Sequence, residues 1–199
     1  TGISLPLSEI ERLVASDSSR VVVIDEAYVD FGGESAVGLT KKYDNILVCQ
    51  TFSKSRSFAG GRLGYGIGSE ALISDLNTVK YSTNPYNINS MTSAMGIGIL
   101  KDGEYTATNC RTIMENREYT VKALENMGFR VLPSSANFIF VSSDKIDGGE
   151  YYRKLKEKKI LVRHFDKPRI SSWCRVSIGR IDQMEAFLKA TEEILKEKV

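Results

Sequence analysis

One histidine, one tryptophan, four prolines and three cysteines among 199 residues set the first limits. A single histidine, His164, leaves no His-rich cluster for a metal, and within Arg163-His-Phe-Asp-Lys167 it is expected to be a surface residue. Cys49, Cys110 and Cys174 are odd in number and far apart. That argues against a disulfide framework and points to a reducing cytoplasm. No apolar run approaches membrane-spanning length. Charge of one sign is missing too: 27 Lys and Arg face 25 Asp and Glu, a net +2, and no basic stripe suggests nucleic acid. The Gly-x-Ser-x-Gly elbow of serine hydrolases does not occur. What remains, 42% hydrophobic and 26% charged, is ordinary for a globular protein of one large or two small domains.

The chain is organised around Thr51-Phe-Ser-Lys-Ser-Arg-Ser-Phe-Ala-Gly-Gly-Arg62. Asn45-Ile-Leu-Val-Cys49 before it and Arg62-Leu-Gly-Tyr-Gly-Ile67 after it read as strands. The loop between them has no apolar period, so it is not built for packing. It sets Lys54 just past a strand end, with Arg62 eight residues on. Upstream, Arg20-Val-Val-Val-Ile-Asp25 is an unbroken apolar run that stops on a carboxylate, as expected of a parallel strand covered on both faces. Ligands sit at the carboxyl ends of such strands. An aspartate and a lysine on one rim suit pyridoxal 5′-phosphate: the lysine bonds the aldehyde and the aspartate keeps the ring nitrogen protonated. Ser53 and Arg62 would supply donors to the cofactor phosphate. Taken singly, an aspartate at a strand end can be a turn residue, and Arg56 reads as solvated charge.

The remainder alternates helices and strands. Pro6 is placed in the first turn of a helix with Ile10, Leu13 and Val14 on one face. Ser69 caps a helix through Asn77, Tyr81–Ser90 reads as a loop, and helices follow at about 88–100 and 104–127. Gly64-x-Gly-x-Gly68 lacks the further glycine of a dinucleotide loop and is read as a strand. Gly128 ends the long helix. Beyond it, 129–132, 137–141, 160–162 and 175–178 read as strands, with helices at 148–158 and from Gln183 onward. The division expected is 1–114, part of a large cofactor-binding domain, and 115–199, a small α+β domain. Arg163 and Arg175 lie among apolar strand residues and need an anionic partner.

Val-Ile-Asp-Glu-Ala-Tyr-Val-Asp-Phe31, Thr-Phe-Ser-Lys54 and Ala-Gly-Gly-Arg62 resemble the fold-type I aminotransferases, and among them the histidinol-phosphate aminotransferases. Thr1-Gly2, Ser135-Ala-Asn-Phe-Ile-Phe140, Ile160-Leu-Val-Arg163 and Cys174-Arg-Val-Ser-Ile-Gly179 extend the resemblance over essentially the whole chain. It implies an α/β fold: the C-terminal part of a large domain with a mostly parallel sheet, followed by a small α+β domain. It implies Lys54 and Asp25 as catalytic residues, Tyr28 at the cofactor's ring oxygen, and Arg175, Arg163 and Asn137 at the substrate's anionic end. The reaction implied moves an amino group between L-histidinol phosphate and 2-oxoglutarate, in a cytoplasmic homodimer that binds neither nucleic acid nor membrane. Aromatic transamination, decarboxylation of an amino-acid phosphate, and a non-catalytic fragment are the rivals. The chain lacks an initiator methionine and begins within a family motif, so the expectation is of a truncated protein, inactive alone and self-associating through an open strand edge.

Overall fold

A computed structural model describes residues 1–197. They pack as two compact units, one of Leu5–Thr108 and one of Thr1–Ser4 with the chain from Asn109 onward.

In the first unit, α1 (Leu7–Ala15) starts directly after Pro6, its N-cap, which has no N–H to leave unpaired. Ile10 and Val14, one turn apart, are buried. Leu13 is 48% exposed, contrary to expectation, because it lies about 80° round the helix from the middle of that stripe. β1 (Val22–Asp25) and β2 (Ile46–Thr51) pair in parallel, Val22 opposite Ile46 and Asp25 opposite Cys49. β3 (Gly64–Gly68) pairs with the other side of β2 but runs antiparallel. The three described strands thus form a mixed sheet, one parallel pair and one antiparallel pair. The link from β2 to β3 carries turns and one short 3-10 turn, Ala59–Gly61, with no α-helix to make a parallel crossover.

The core of this unit lies on one side of β1 and β2, where Val22, Ile46 and Val48 meet Ile10, Val14 and Leu39. β1 is therefore covered on one face only: Val23 is 57% exposed, and the strand alternates where an unbroken apolar run suggested two covered faces. The buried Asn45 amide reaches the carbonyls of Val14, Asp17 and Arg20 at 3.0–3.1 Å, tying the end of α1 to the start of both strands. α2 (Glu70–Thr83) is capped by Ser69, whose hydroxyl accepts the Leu72 N–H. It runs past the expected Asn77 end because polar Ser82 and Thr83 bond back to carbonyls one turn earlier. The break comes at Asn84, whose φ −151° and ψ 80° leave the helical region just before Pro85. α3 (Ser90–Lys101) begins at Asn89, which caps the Thr92 N–H at 2.8 Å.

The boundary between the units falls inside α4 (Gly103–Asn126), which Gly128 ends at φ +89°. The second unit has an antiparallel sheet in the order β4-β5-β7-β6: β4 (Phe129–Val131), β5 (Phe138–Ser143), β6 (Arg163–His164) and β7 (Trp173–Ser177). α5 (Gly148–Glu157) and α6 (Ile181–Lys196) contribute Tyr151, Leu155, Phe187 and Ile194 to a core that includes Ile139, Val141 and Val176. The strand expected at 160–162 is instead Arg163–His164. Lys159 turns back at φ +63° and the Ile160 N–H bonds Leu155 O at 2.9 Å, so these residues close α5. Gly2 O accepts the Ser135 N–H at 2.8 Å. Gly2 has φ +86°, and a Cβ there would stand 2.5 Å from Ser134 Oγ, so this contact requires glycine.

Two buried groups in the second unit make its stability alkali-sensitive. Burial, and then the Asp147 carboxylate, push the Cys174 thiol from an ordinary value near 9.0 up to about 12. Burial likewise pushes the Tyr151 phenol up, although its bond to Thr191 at 2.8 Å works the other way. The folded state therefore keeps protons that the unfolded chain releases. Stability is whole below the unfolded values and is lost as pH rises through the folded ones. The urea midpoint should fall between about pH 9 and about pH 12, each group contributing at most about 1.4 kcal/mol per pH unit. Cys174→Ala should remove the part of the slope that begins near pH 9.0; an unchanged profile in that variant would rule the thiol out.

Candidate active site

Because β1 and β2 are parallel, both deliver their carboxyl ends to one rim. Asp25 is the last residue of β1, and Lys54 follows three residues after β2 ends at Thr51. An open cleft of about 730 Å³ at this rim is lined by Asp25, Cys49, Thr51, Ser53, Lys54 and Arg62, with Gln50 and Tyr65 beside them. Four of the five residues expected here to hold or work on the cofactor, Asp25, Ser53, Lys54 and Arg62, line it; the fifth, Tyr28, does not. The Tyr28 ring centroid stands 5.4 Å from Lys54 Nζ. A second concavity of about 590 Å³ runs along α2, lined by Glu70 and by hydroxyl and amide side chains without a cation.

Within the cleft, Asp25 is exposed, and its Oδ1 accepts the Ala27 N–H at 3.0 Å. Burial first and the Asp25 charge second hold the Cys49 thiol above its ordinary range, so the cleft wall there is a neutral thiol. Lys54 is exposed and makes no ion pair among the described residues. Arg62 takes the left-handed conformation at φ 52°, and its Nη1 donates to Ala59 O at 3.0 Å.

Two acidic residues that the sequence did not single out shape this rim. Glu26, 8% exposed, accepts from Ser35 Oγ at 2.7 Å, the Ala36 N–H at 2.5 Å and Gln50 Nε2 at 2.8 Å. Gln50 in turn accepts from the Tyr65 hydroxyl at 2.5 Å, so side chains link the ends of all three strands. Asp30 accepts from Ser55 Oγ and from Arg56 Nη1. Arg56 is thus a half-buried, ion-paired residue, not the solvated charge its setting suggested. The available signal was an acidic residue placed just beyond an apolar strand, which alone is also what a turn looks like.

In the second unit, Arg163 on β6 stands directly opposite Arg175 on β7. Arg175 lies over the Phe138 ring at 5.1 Å and Arg163 over Phe165 at 5.4 Å. Phe140 stacks on Trp173 at 5.1 Å between ring centroids on the same sheet. Neither arginine has a carboxylate partner among the described residues. Like charges directly opposite on antiparallel strands repel, and one shared anion relieves both. Half-buried Asn137, just before β5, accepts the Ile178 N–H through its carbonyl at 2.9 Å. His164, expected at the surface, is half-buried: Nε2 lies 2.7 Å from Ser171 O and its ring stacks on Tyr152 at 6.1 Å.

The profile described as aminotransferase class I and II matches residues 1–190. A histidinol-phosphate aminotransferase of Clostridium botulinum (strain Okra / Type B1) is 43% identical over 195 residues, 98% of this chain and 55% of the relative. One from Brachyspira hyodysenteriae is 46% identical over 197 residues, again 98% of this chain and 56% of the relative. The crystal structure of the histidinol-phosphate aminotransferase from Clostridium acetobutylicum superposes with a TM-score of 0.90 at 26% identity, covering 99% of this chain and 61% of that one. The chain thus spans little more than half the length of the curated relatives it matches. Its α/β architecture is that of the fold-type I aminotransferases. With the match running through both units and the strand-end lysine in place, the chain belongs to the class I and II aminotransferases.

Proposed function

We propose that this chain is the lysine-bearing part of a pyridoxal 5′-phosphate-dependent aminotransferase that exchanges an amino group between L-histidinol phosphate and 2-oxoglutarate. The observation that carries the reading is the meeting of Asp25 and Lys54 on one rim, with Ser53 and Arg62 lining the same cleft. The donor set fits the cofactor: an amine for its aldehyde, a carboxylate for its ring nitrogen, and a hydroxyl and a guanidinium for its phosphate. When bound, pyridoxal phosphate supplies an electron sink that stabilises negative charge at the substrate's Cα.

The residues divide the remaining work. Lys54 Nζ would hold the cofactor through its aldehyde and, as general base and then general acid, would carry the proton from the substrate's Cα to the cofactor side, the 1,3 shift that moving the amino group requires. Asp25 keeps a proton on the ring nitrogen, a role its fixed place at the end of β1 suits. Ser53 and Arg62 hold the phosphate, and the Tyr28 hydroxyl is assigned to the ring oxygen by resemblance. Arg163 and Arg175, with Asn137, are assigned the anionic end of the substrate. Two facing guanidiniums without a carboxylate suit a dianion, which favours a phosphorylated amine over an unsubstituted aromatic amino acid. The same pair would suit a decarboxylase acting on an amino-acid phosphate, and product analysis separates the two.

The complete protein is proposed to be a cytoplasmic homodimer. Supporting this are the free cysteines and the exposed Leu76, Val79, Met91 and Met95 of α2 and α3. No helix among the described residues is long and apolar enough to cross a membrane.

Borohydride reduction of the complete protein with cofactor, then peptide mapping, should place the pyridoxyl group on the peptide containing Lys54. Lys54→Ala should abolish turnover while Lys80→Ala leaves it largely intact; labelling of another lysine would sink the assignment. Arg175→Ala should lower kcat/KM for histidinol phosphate by one to two orders of magnitude. That is the loss expected for a charge-assisted contact of roughly 1.5–3 kcal/mol, and an unchanged value would refute the anion role.

A further inference from the structure

The chemistry assigned to Lys54 depends on where its turn stands, and the turn lies between β2 and β3 outside any helix or strand. Residues 52–58 are outside regular structure. The backbone bonds of Ser53–Ser57 close on the turn itself or on Thr51: Ser57 N–H to Lys54 O at 3.1 Å, and Ser53 N–H to Thr51 Oγ1 at 3.1 Å. Ser57 adopts φ 53°, a conformation a serine does not favour without support.

Apart from a 3.5 Å bond from Arg56 Nη1 to Thr51 O at the end of β2, the side-chain bonds that leave the turn converge on a single atom. Asp30 Oδ2 accepts from Ser55 Oγ and from Arg56 Nη1 at 3.0 Å, the two residues immediately after Lys54. Ser55 is 4% exposed, and the Asp30 and Arg56 side chains are only 32% and 16% exposed. Arg56 lies over the buried Phe52 ring at 5.4 Å, which fixes the pair against an apolar floor. Asp30 belongs to the 3-10 turn Val29–Phe31, directly after Tyr28, whose ring stands beside Lys54 Nζ.

Resting on the functional reading above, we infer that Asp30 is the positioning residue of the site. Its carboxylate clamps the C-terminal side of the lysine turn and balances the Arg56 charge that would otherwise stand unpaired two residues from the reactive amine. One five-residue step, Asp25 to Asp30, then sets both the carboxylate at the rim and the placement of the lysine.

The test titrates the cofactor-free complete protein with pyridoxal 5′-phosphate, following the visible absorbance of the lysine-bound cofactor, with borohydride mapping and steady-state kinetics alongside. Asp30→Ala should raise the half-saturating cofactor concentration and lower kcat, each by about tenfold, the loss of one charge-assisted bond, with substrate KM within about threefold of wild type. Asp30→Asn, which can still accept from Ser55 but loses the ion pair, should fall between. If Asp30→Ala does not fold, Ser55→Ala and Arg56→Gln each remove one of the two bonds and should shift cofactor binding the same way by a smaller factor. Wild-type protein that traps no cofactor on Lys54 overturns the functional reading and this inference with it. Trapping on Lys54 with unchanged cofactor binding and kcat in the variants, or a change confined to KM, overturns the positioning role alone.

Discussion

The parallel pairing of β1 with β2 is the constraint on which the first unit depends. It puts Asp25 and the Lys54 turn on one rim. A slip of one residue in β1 would send Asp25 to the opposite face and carry Val22 and Ile24 out of the core. The register is held at both ends. At the entry, the Asn45 amide gathers three carbonyls from the end of α1 and its connection to β1. At the exit, Glu26, directly after β1, takes a hydrogen bond from Gln50 of β2. A buried carboxylate is costly unless its oxygens are satisfied. The three donors on Glu26 meet that condition and also make the arrangement hard to exchange for another.

The second unit solves a different problem. One face of its sheet carries Ile139, Val141, Cys174 and Val176 into an apolar core. The alternate positions carry Phe138, Phe140, Trp173 and the arginines. Aromatic rings beneath guanidiniums compensate some of the repulsion between Arg163 and Arg175 through their negative faces, but a ring cannot neutralise a charge. The two cations stand opposite each other without a carboxylate among the described residues, Arg175 half-buried and Arg163 exposed. This is the physical ground for giving them an anion to bind.

How much of this was legible in the sequence differs from residue to residue. Asp25 and Lys54 could be found because one closes an apolar run and the other lies in the polar loop just after one, and Arg62 because it stands eight residues beyond Lys54; each alone is also what a turn looks like, and only their conjunction stands out. The stop at Gly128 is equally local, since only a residue tolerant of positive φ ends a helix in that way. The end of α2 was not legible: a helix through Asn77 and a loop over Tyr81–Ser90 are expected, whereas hydroxyl groups bonding to their own helix let it continue to Thr83. Arg56 and Asp30 lie 26 positions apart, and nothing in either neighbourhood announces the other.

What the sequence determined by itself is therefore whatever rests on neighbours along the chain: the apolar periods, the caps, the turn glycines and the identity of the groups at the strand ends. The tertiary structure alone decided the direction of β3, the shift of β6 by which Arg163 meets Arg175, and the convergence of Ser55 and Arg56 on Asp30. The reason is the same in each case. Strand direction, register and side-chain pairing between distant segments follow from which packing satisfies the most buried groups at once, a choice made among all segments together, so no single stretch of sequence carries it.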